Sequence, residues 1–307
     1  MSLSISTAWN AFRSSDAERM IYELRDLGFE EVELSFNLTS GMVDAVEGLV
    51  SRGKIKVTSV HNFCPIPEGL KREQALPDFF SMSSMDSEQR ALAVEYGRRS
   101  IDTAARLNAR AVVLHCGRVE MEDMFRDLVN LYHREGTQSP FFQQARSALV
   151  RTREEKAQVY LDNTLRSLGE LNRHAEKRGI YLGVETRYYY SEIPSCQEVR
   201  RILDAFKGGR IRYWHDVGHA QVAENLGLAR QEDFLAAYRD EMVGMHLHDV
   251  VGSSDHKTPS TGDLDFSRLN PYITKETIKV LEIHHPAPPQ DLVCGRDFLK
   301  TVFDGKA

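Results

Sequence analysis

Short runs of β-branched and aromatic residues alternate along the chain with longer segments whose apolar positions recur every three or four residues. Eight runs have the length and composition of strands: 3–8, 30–36, 55–61, 110–116, 180–186, 211–217, 243–249 and 278–285. Helical periodicity predicts helices over 15–28, 86–108, 154–179, 196–206, 231–241 and 291–303. The first opens at Ser15 as a cap, stops at Gly28, and carries Met20, Ile21, Leu24 and Leu27 on one face. Segment 266–277 predicts only a short helix. Eight alternations of strand and helix specify an α/β chain of the (β/α)8 TIM barrel type, one domain over 1–307. A doubly wound sheet would place a Gly-rich turn after its first strand, and none follows residue 8.

Two connections exceed ordinary loop length: about 62–85 after the third strand and 117–153 after the fourth. Both leave the C-terminal ends of strands, the face that carries chemistry in such barrels. They fit either lids or contacts between copies in a homo-oligomer.

Composition narrows the partners. The 307 residues carry a net charge of −6, with 41 % apolar and 27 % charged residues. An acidic chain offers no electrostatic basis for nucleic acid or an anionic membrane as partner. Four scattered cysteines, Cys64, Cys116, Cys196 and Cys294, make neither a disulfide framework nor a thiolate metal knuckle. No apolar run approaches the ~20 residues of a membrane span, and the stretch MSLSISTAWN lacks a basic region followed by a long apolar core. A reducing cytoplasmic location is expected.

The candidate chemistry lies at the strand ends. The third strand ends at His61, the fourth at His115, the fifth near Glu185 and the sixth near Asp216; the seventh carries His246 and His248, and the eighth Glu282. Inward residues at the rim of a closed barrel converge on one axis, so these groups would meet. Buried carboxylates repel one another unless a cation lies between them. Imidazoles with carboxylates and no thiolate suit Mn, Zn, Fe or Co, and suit Mg less well. Glu33, on the second strand, is a candidate support behind the ligands. The run RYYY (187–190) after Glu185 fits either contacts to a polyol substrate, through Arg187 and its neighbours, or an aromatic anchor for a rim loop. P-loop, HExxH and GxSxG motifs are absent.

The segments SVHNF (59–63), VVLHCG (112–117), LGVET (182–186), HDVGHA (215–220), GMHLHD (244–249), DHKTPSTGDLDF (255–266) and LEIHH (281–285) together resemble the xylose-isomerase-like TIM barrels. These include sugar isomerases and epimerases and the apurinic endonucleases of the endonuclease IV type. The spacings Asp216-x-x-His219 and His246-x-x-Asp249 are the most diagnostic. The resemblance to the isomerases implies one divalent metal on Glu185, Asp216, His246 and Glu282. It implies proton transfer by Glu185 and Glu282 through a metal-stabilised enediolate, with His219 on a substrate oxygen. His61, His115, Arg187 and His256 would then line the pocket for a small sugar or polyol-like substrate, with His61 and His115 alternatively holding an auxiliary metal, and His248 would support the site from behind.

The endonuclease pattern would instead use His61, His115, Glu185, Asp216, His219, His246, His256 and Glu282 for three zinc ions. It places an Asp two residues before the last His. Here that place is Ser254, and Asp255 adjoins His256. This offset is expected to turn the carboxylate away from a third metal, and the acidic chain shows no cationic stripe for a phosphate backbone. A dehydratase or C–C lyase on the same barrel, and a non-catalytic binding barrel, are further readings.

Overall fold

A computed structural model describes residues 2–305; the ends of the expected 1–307 domain, Met1, Lys306 and Ala307, lie outside them. Eight parallel strands close into a barrel. They are β1 (Ser4–Ser6), β2 (Glu31–Leu34), β3 (Lys56–His61), β4 (Ala111–Leu114), β5 (Tyr181–Glu185), β6 (Ile211–Asp216), β7 (Met242–Leu247) and, after a hairpin of β8 (Asp249–Val251) and β9 (Ser254–Lys257), β10 (Ile278–Leu281). β1 pairs with both β2 and β10, which closes the ring.

The helices are α1 (Ala17–Asp26), α2 (Ser40–Ser51), α3 (Ser87–Arg106), α4 (Met124–Glu135), α5 (Pro140–Arg178), α6 (Cys196–Ala205), α7 (Val217–Asn225), α8 (Gln231–Tyr238) and α9 (Pro289–Asp304). Asp16 rather than Ser15 caps α1, its side chain accepting the Arg19 amide at 3.0 Å. Gly28, at φ +85°, turns the chain away after α1, as expected of a stop signal. Gly179 ends α5 in the left-handed conformation. Segment 266–277 holds only a 3-10 turn, Phe266–Leu269. Among the described residues, no helix is long and apolar enough to cross a membrane.

Three elements depart from the sequence reading. α2 lies where no helix was expected, and α7 begins directly at the end of β6. The third is larger: 117–153 is not an open loop, because α4 and the start of α5 occupy most of it. Their buried side chains Phe125, Leu128, Phe142 and Leu149 pack with Val222 of α7, Leu226 just beyond it and Val250 of β8, forming an apolar cluster apart from the main core. A helix needs a buried face more than a propensity, and this one is supplied by distant elements. The 62–85 connection does remain irregular. Arg72 donates to the carbonyls of Ala11, Ser14 and Asn37, and Asp78 pairs with Arg118, so it is strapped across the rim.

The barrel floor is closed by Trp214, fully buried with Ala111, Val113, Val243, Ile278 and Val280. Glycines on the neighbouring strands make room for the indole. A Cβ at Gly183 would come within 3.0 Å of Trp214, and one at Gly244 would overlap its ring. The substitution Gly244→Ala is expected to lower stability by about 1–3 kcal/mol through overpacking. Urea unfolding measures this, and an unchanged midpoint would show that the indole has room to move.

Candidate functional site

The strand ends do converge. His61 closes β3, His115 follows β4, Glu185 and Asp216 close β5 and β6, His246 lies near the end of β7, and Glu282 follows β10. Asp216 and His246 are direct partners in the parallel register.

His246, wholly buried, is the hub. Its Nδ1 lies 2.7 Å from Glu185 Oε1, 3.1 Å from Glu282 Oε2 and 3.5 Å from Asp216 Oδ2. Its Nε2 lies 3.0 Å from Glu33 Oε1. Ser59 donates to the other oxygen of Glu33 at 2.7 Å. A carboxylate on Nε2 fixes the ring and leaves Nδ1 as the lone pair, the usual support behind a metal-binding imidazole. The indole of Trp214 meets the same ring edge-on at 5.1 Å.

The electrostatics expose the need for a cation. Burial opposes the His246 imidazolium, yet Glu282 and Glu33 outweigh it and hold its pKa well above the usual value. Burial likewise raises Glu185 and Asp216, but the groups facing them win, Arg187 first for Glu185 and the neighbouring imidazoles of His219 and His248 for Asp216, so both lie well below the usual range. Burial, with the Glu282 carboxylate adding to it, leaves Glu33 raised against the pull of His246. His246, His248 and Arg187 face these four carboxylates and Glu192, so the group keeps an excess of buried negative charge. The atoms around Nδ1 are spaced like the edges of a coordination shell with bonds of ~2.0–2.2 Å. Glu185, Asp216, His246 and Glu282 therefore fit a divalent cation in donor chemistry and spacing.

Three other histidines share a device. His61 donates Nδ1–H to the carbonyl of Asn62 at 3.1 Å, His219 to Thr186 at 3.0 Å and His256 to Glu282 at 3.2 Å. Each is thereby left with Nε2 as a free acceptor. Asp216 also caps α7, accepting the His219 amide at 2.7 Å, so the strand-end carboxylate sets the position of His219 one turn along. His248 accepts the His256 amide on Nδ1 at 2.9 Å and donates Nε2–H to Asp216 at 3.0 Å. His256 sits at φ +52° on the hairpin, a conformation uncommon outside glycine and held here by its amide bond to His248 and its Nδ1–H bond to the Glu282 carbonyl.

Asp255 departs from expectation. Its Oδ2 lies 3.5 Å from His219 Nε2 and 3.7 Å from His256 Nε2, so the one-residue offset does not turn it away. The chain at 254–257 is a β-strand rather than a loop, and the αL turn at His256 brings both side chains to the same side. The sequence gives no sign of that turn.

Arg187 does not stand open to the cavity. Its guanidinium pairs with Glu185 Oε2 and, at 3.2 Å, with Glu192 Oε1, and the side chain is 8 % exposed. His115 Nε2 lies 3.0 Å from the same oxygen of Glu185. Tyr188 donates to the Ser253 carbonyl at 2.8 Å and Tyr190 stacks under Arg153, so both serve as loop anchors.

Sequence reasoning missed Glu192, Asp78 and His284. Glu192 and Asp78 sit in irregular segments without periodicity. His284 was visible in LEIHH, and its ring stacks on His256 at 3.6 Å with Nε2 4.0 Å from Glu282 Oε1. A cavity of about 630 Å³ at the opposite mouth, lined by Ser4, Thr58, Arg110 and Lys279 among others, contains none of these converging groups.

Residues 21–302 match the family model described as the xylose isomerase-like TIM barrel, and the chain belongs to that family. No curated protein matches it. Among solved structures, it is similar to 3-keto-D-glucoside 4-epimerase from Escherichia coli, with 15 % identity over 98 % of this chain and 99 % of that one and a TM-score of 0.68. D-psicose 3-epimerase from Clostridium cellulolyticum, solved with D-tagatose, aligns at 12 % identity over 99 % of both chains with a TM-score of 0.67. A Thermus thermophilus protein from a crystal soaked in zinc chloride aligns at 21 % identity over the whole of both chains with a TM-score of 0.63. At these identities the likeness is one of fold.

Histidines buried as neutral rings make stability depend on pH. Burial pushes His115 down to about 4, with Arg187 adding to it, and pushes His215 down to about 4 against its bond to Gln231. Unfolded histidine titrates near ~6.5. The unfolded chain thus binds more protons between these values, so the stability is present above ~6.5 and is lost as pH falls toward ~4, by up to about 3 kcal/mol per group. Urea titrations of metal-free protein should show the midpoint falling across that window, with a flatter fall in His215→Gln. A midpoint that stays level between those pH values would contradict the neutral assignment.

Proposed function

We propose that the protein is a divalent-metal-dependent isomerase or epimerase of a small sugar or sugar-like keto compound. The observation that carries this reading is the convergence of Glu185, Asp216 and Glu282 on Nδ1 of His246, which is itself locked by Glu33. Family membership and the presence of keto-sugar epimerases among proteins of the same fold support it. A divalent cation held by those four side chains supplies Lewis acidity, lowering the cost of an enediolate beside a carbonyl.

The two glutamates are not equivalent. Glu282 turns Oε2 toward the hub and Oε1 toward the mouth, where His284 stands 4.0 Å away. Glu185 turns Oε1 toward the hub, but its Oε2 is engaged by His115 and Arg187. Glu282 is therefore the carboxylate with an oxygen available to take a proton from carbon and return it. One carboxylate with an unengaged oxygen favours transfer on a single face, the stereochemistry of an isomerase. An epimerase would need Glu185 released from Arg187 to act on the other face. His219 and His61, with Nδ1 tied to carbonyls, offer Nε2 to substrate hydroxyls.

A second reading, a multi-metal phosphodiester hydrolase, is favoured by one observation: Asp255 between His219 and His256 offers a further carboxylate–imidazole set. Metal counting and substrate chemistry separate the two.

Incubation with panels of aldoses and ketoses in D2O, followed by NMR, tests the main reading: substrate-derived C–H should exchange or move while metal is bound. Chelation should abolish this, and Mn or Co should restore it. Glu282→Gln should lower turnover by about 100–10,000-fold with the fold intact; full activity in that variant would remove Glu282 from the mechanism. Glu33→Gln should weaken metal binding by about 10–100-fold without unfolding the barrel. Titration with Co, followed in the visible spectrum, measures it, and an unchanged affinity would mean that Glu33 does not orient His246.

A further inference from the structure

We propose that Arg187 is a built-in substitute for a second cation, occupying the charge position at His61, His115 and Glu185 and keeping that trio free of metal. The proposal rests on the metal reading of the His246 site above.

The trio has the makings of a site: its ligand atoms lie within 4.8 Å of one another. His61 is fixed through Nδ1 and presents Nε2. The oxygen that would complete the shell, however, is Glu185 Oε2, and it already carries a guanidinium nitrogen of Arg187. His115 Nε2 stands 3.0 Å from that same oxygen, a spacing that requires a proton between the two atoms and so removes the lone pair a metal would use.

The guanidinium is held in place from behind. Glu192 accepts from Arg187 at 3.2 Å through one oxygen and from the Tyr189 amide at 2.9 Å through the other. Arg153, 3 % exposed and paired with Glu198, grips the same loop through the carbonyls of Tyr190 and Glu192. Arginine does not lose its proton in a protein. A divalent ion on Glu185 Oε2 would stand beside this fixed charge with little water to screen it. The guanidinium instead neutralises Glu185 and fixes its rotamer, the two services a second ion would give, and it does so without exchange. His61 Nε2 then remains available to substrate.

The test counts metal. Wild type and variants are loaded with Co, desalted and analysed by mass spectrometry, with visible absorption reporting ligand type. Arg187→Met should gain one equivalent over wild type, its affinity at the trio raised by about 100-fold or more. Arg187→Lys keeps a cation and should gain none. Adding His61→Ala to Arg187→Met should remove the gain, whereas His61→Ala alone should leave the wild-type content unchanged. Loss of an equivalent from the single His61→Ala variant would overturn the proposal, because metal would then sit beside Arg187. A folded Arg187→Met with no gain would overturn it too. If that variant misfolds with Glu192 left unpaired, Arg187→Met combined with Glu192→Gln removes both charges and is read in the same way. A wild type that takes up no ion would defeat the metal reading of the His246 site, while the gain on removing Arg187 would still report on this one.

Discussion

Four carboxylates facing one buried imidazole are the constraint on which the rest depends. Glu33, Glu185, Asp216 and Glu282 are each nearly or wholly buried around His246. In a protein interior such a group must be compensated charge by charge, because desolvation is not recovered by geometry alone. The surroundings can be read as successive answers to that demand. Ser59 takes one lone pair of Glu33, His248 and the start of α7 take those of Asp216, and Arg187 with His115 take the outer oxygen of Glu185. Only the face toward Nδ1 is left to a cation.

The barrel delivers these groups because β2 to β7 and β10 each bring a residue at or near their C-terminal end to one rim. The floor beneath them is apolar: Trp214 fills the space that Gly183 and Gly244 vacate and sits under His246. A low-dielectric floor strengthens every interaction above it. The α4–α5 insertion serves the rim differently. Its apolar cluster reaches Val250 of the hairpin, and the hairpin carries Asp255 and His256 to the pocket. Asp249 reinforces the same support, accepting the amides of Val250, Ser260, Gly262 and Leu264 and so tying the following loop to the hairpin.

The barrel and the strand-end groups were legible in the sequence because both obey short rules. Strand composition is local, and closure of a barrel turns eight local positions into one site. Hidden from the sequence were features set by distant partners. The N-terminal part of α5 is helical because Phe142 and Leu149 find α7 and β8, which no window of its own residues reveals. Asp255 faces His219 because of a backbone turn at His256. Arg187 carries a signal for charge in the sequence, but its direction depends on Glu192, five positions on, which had no periodic pattern to mark it.

Taken together, the pocket is sealed on one side and open on the other. On the β5 side, Arg187 lies between Glu185 and Glu192 in a buried row braced by Arg153. On the β10 side, Glu282 has an oxygen near His284, whose side chain is 45 % exposed, and the stack of His248, His256 and His284 runs from Asp216 to the surface. Rigid, desolvated groups hold geometry well but exchange protons with solvent poorly; groups near the mouth do the reverse. A reaction that moves a proton between substrate carbon and protein needs one of each. Under the proposed reaction, this asymmetry would give binding and orientation to the fifth-strand side and proton movement to the β10 side, with substrate entering past His284.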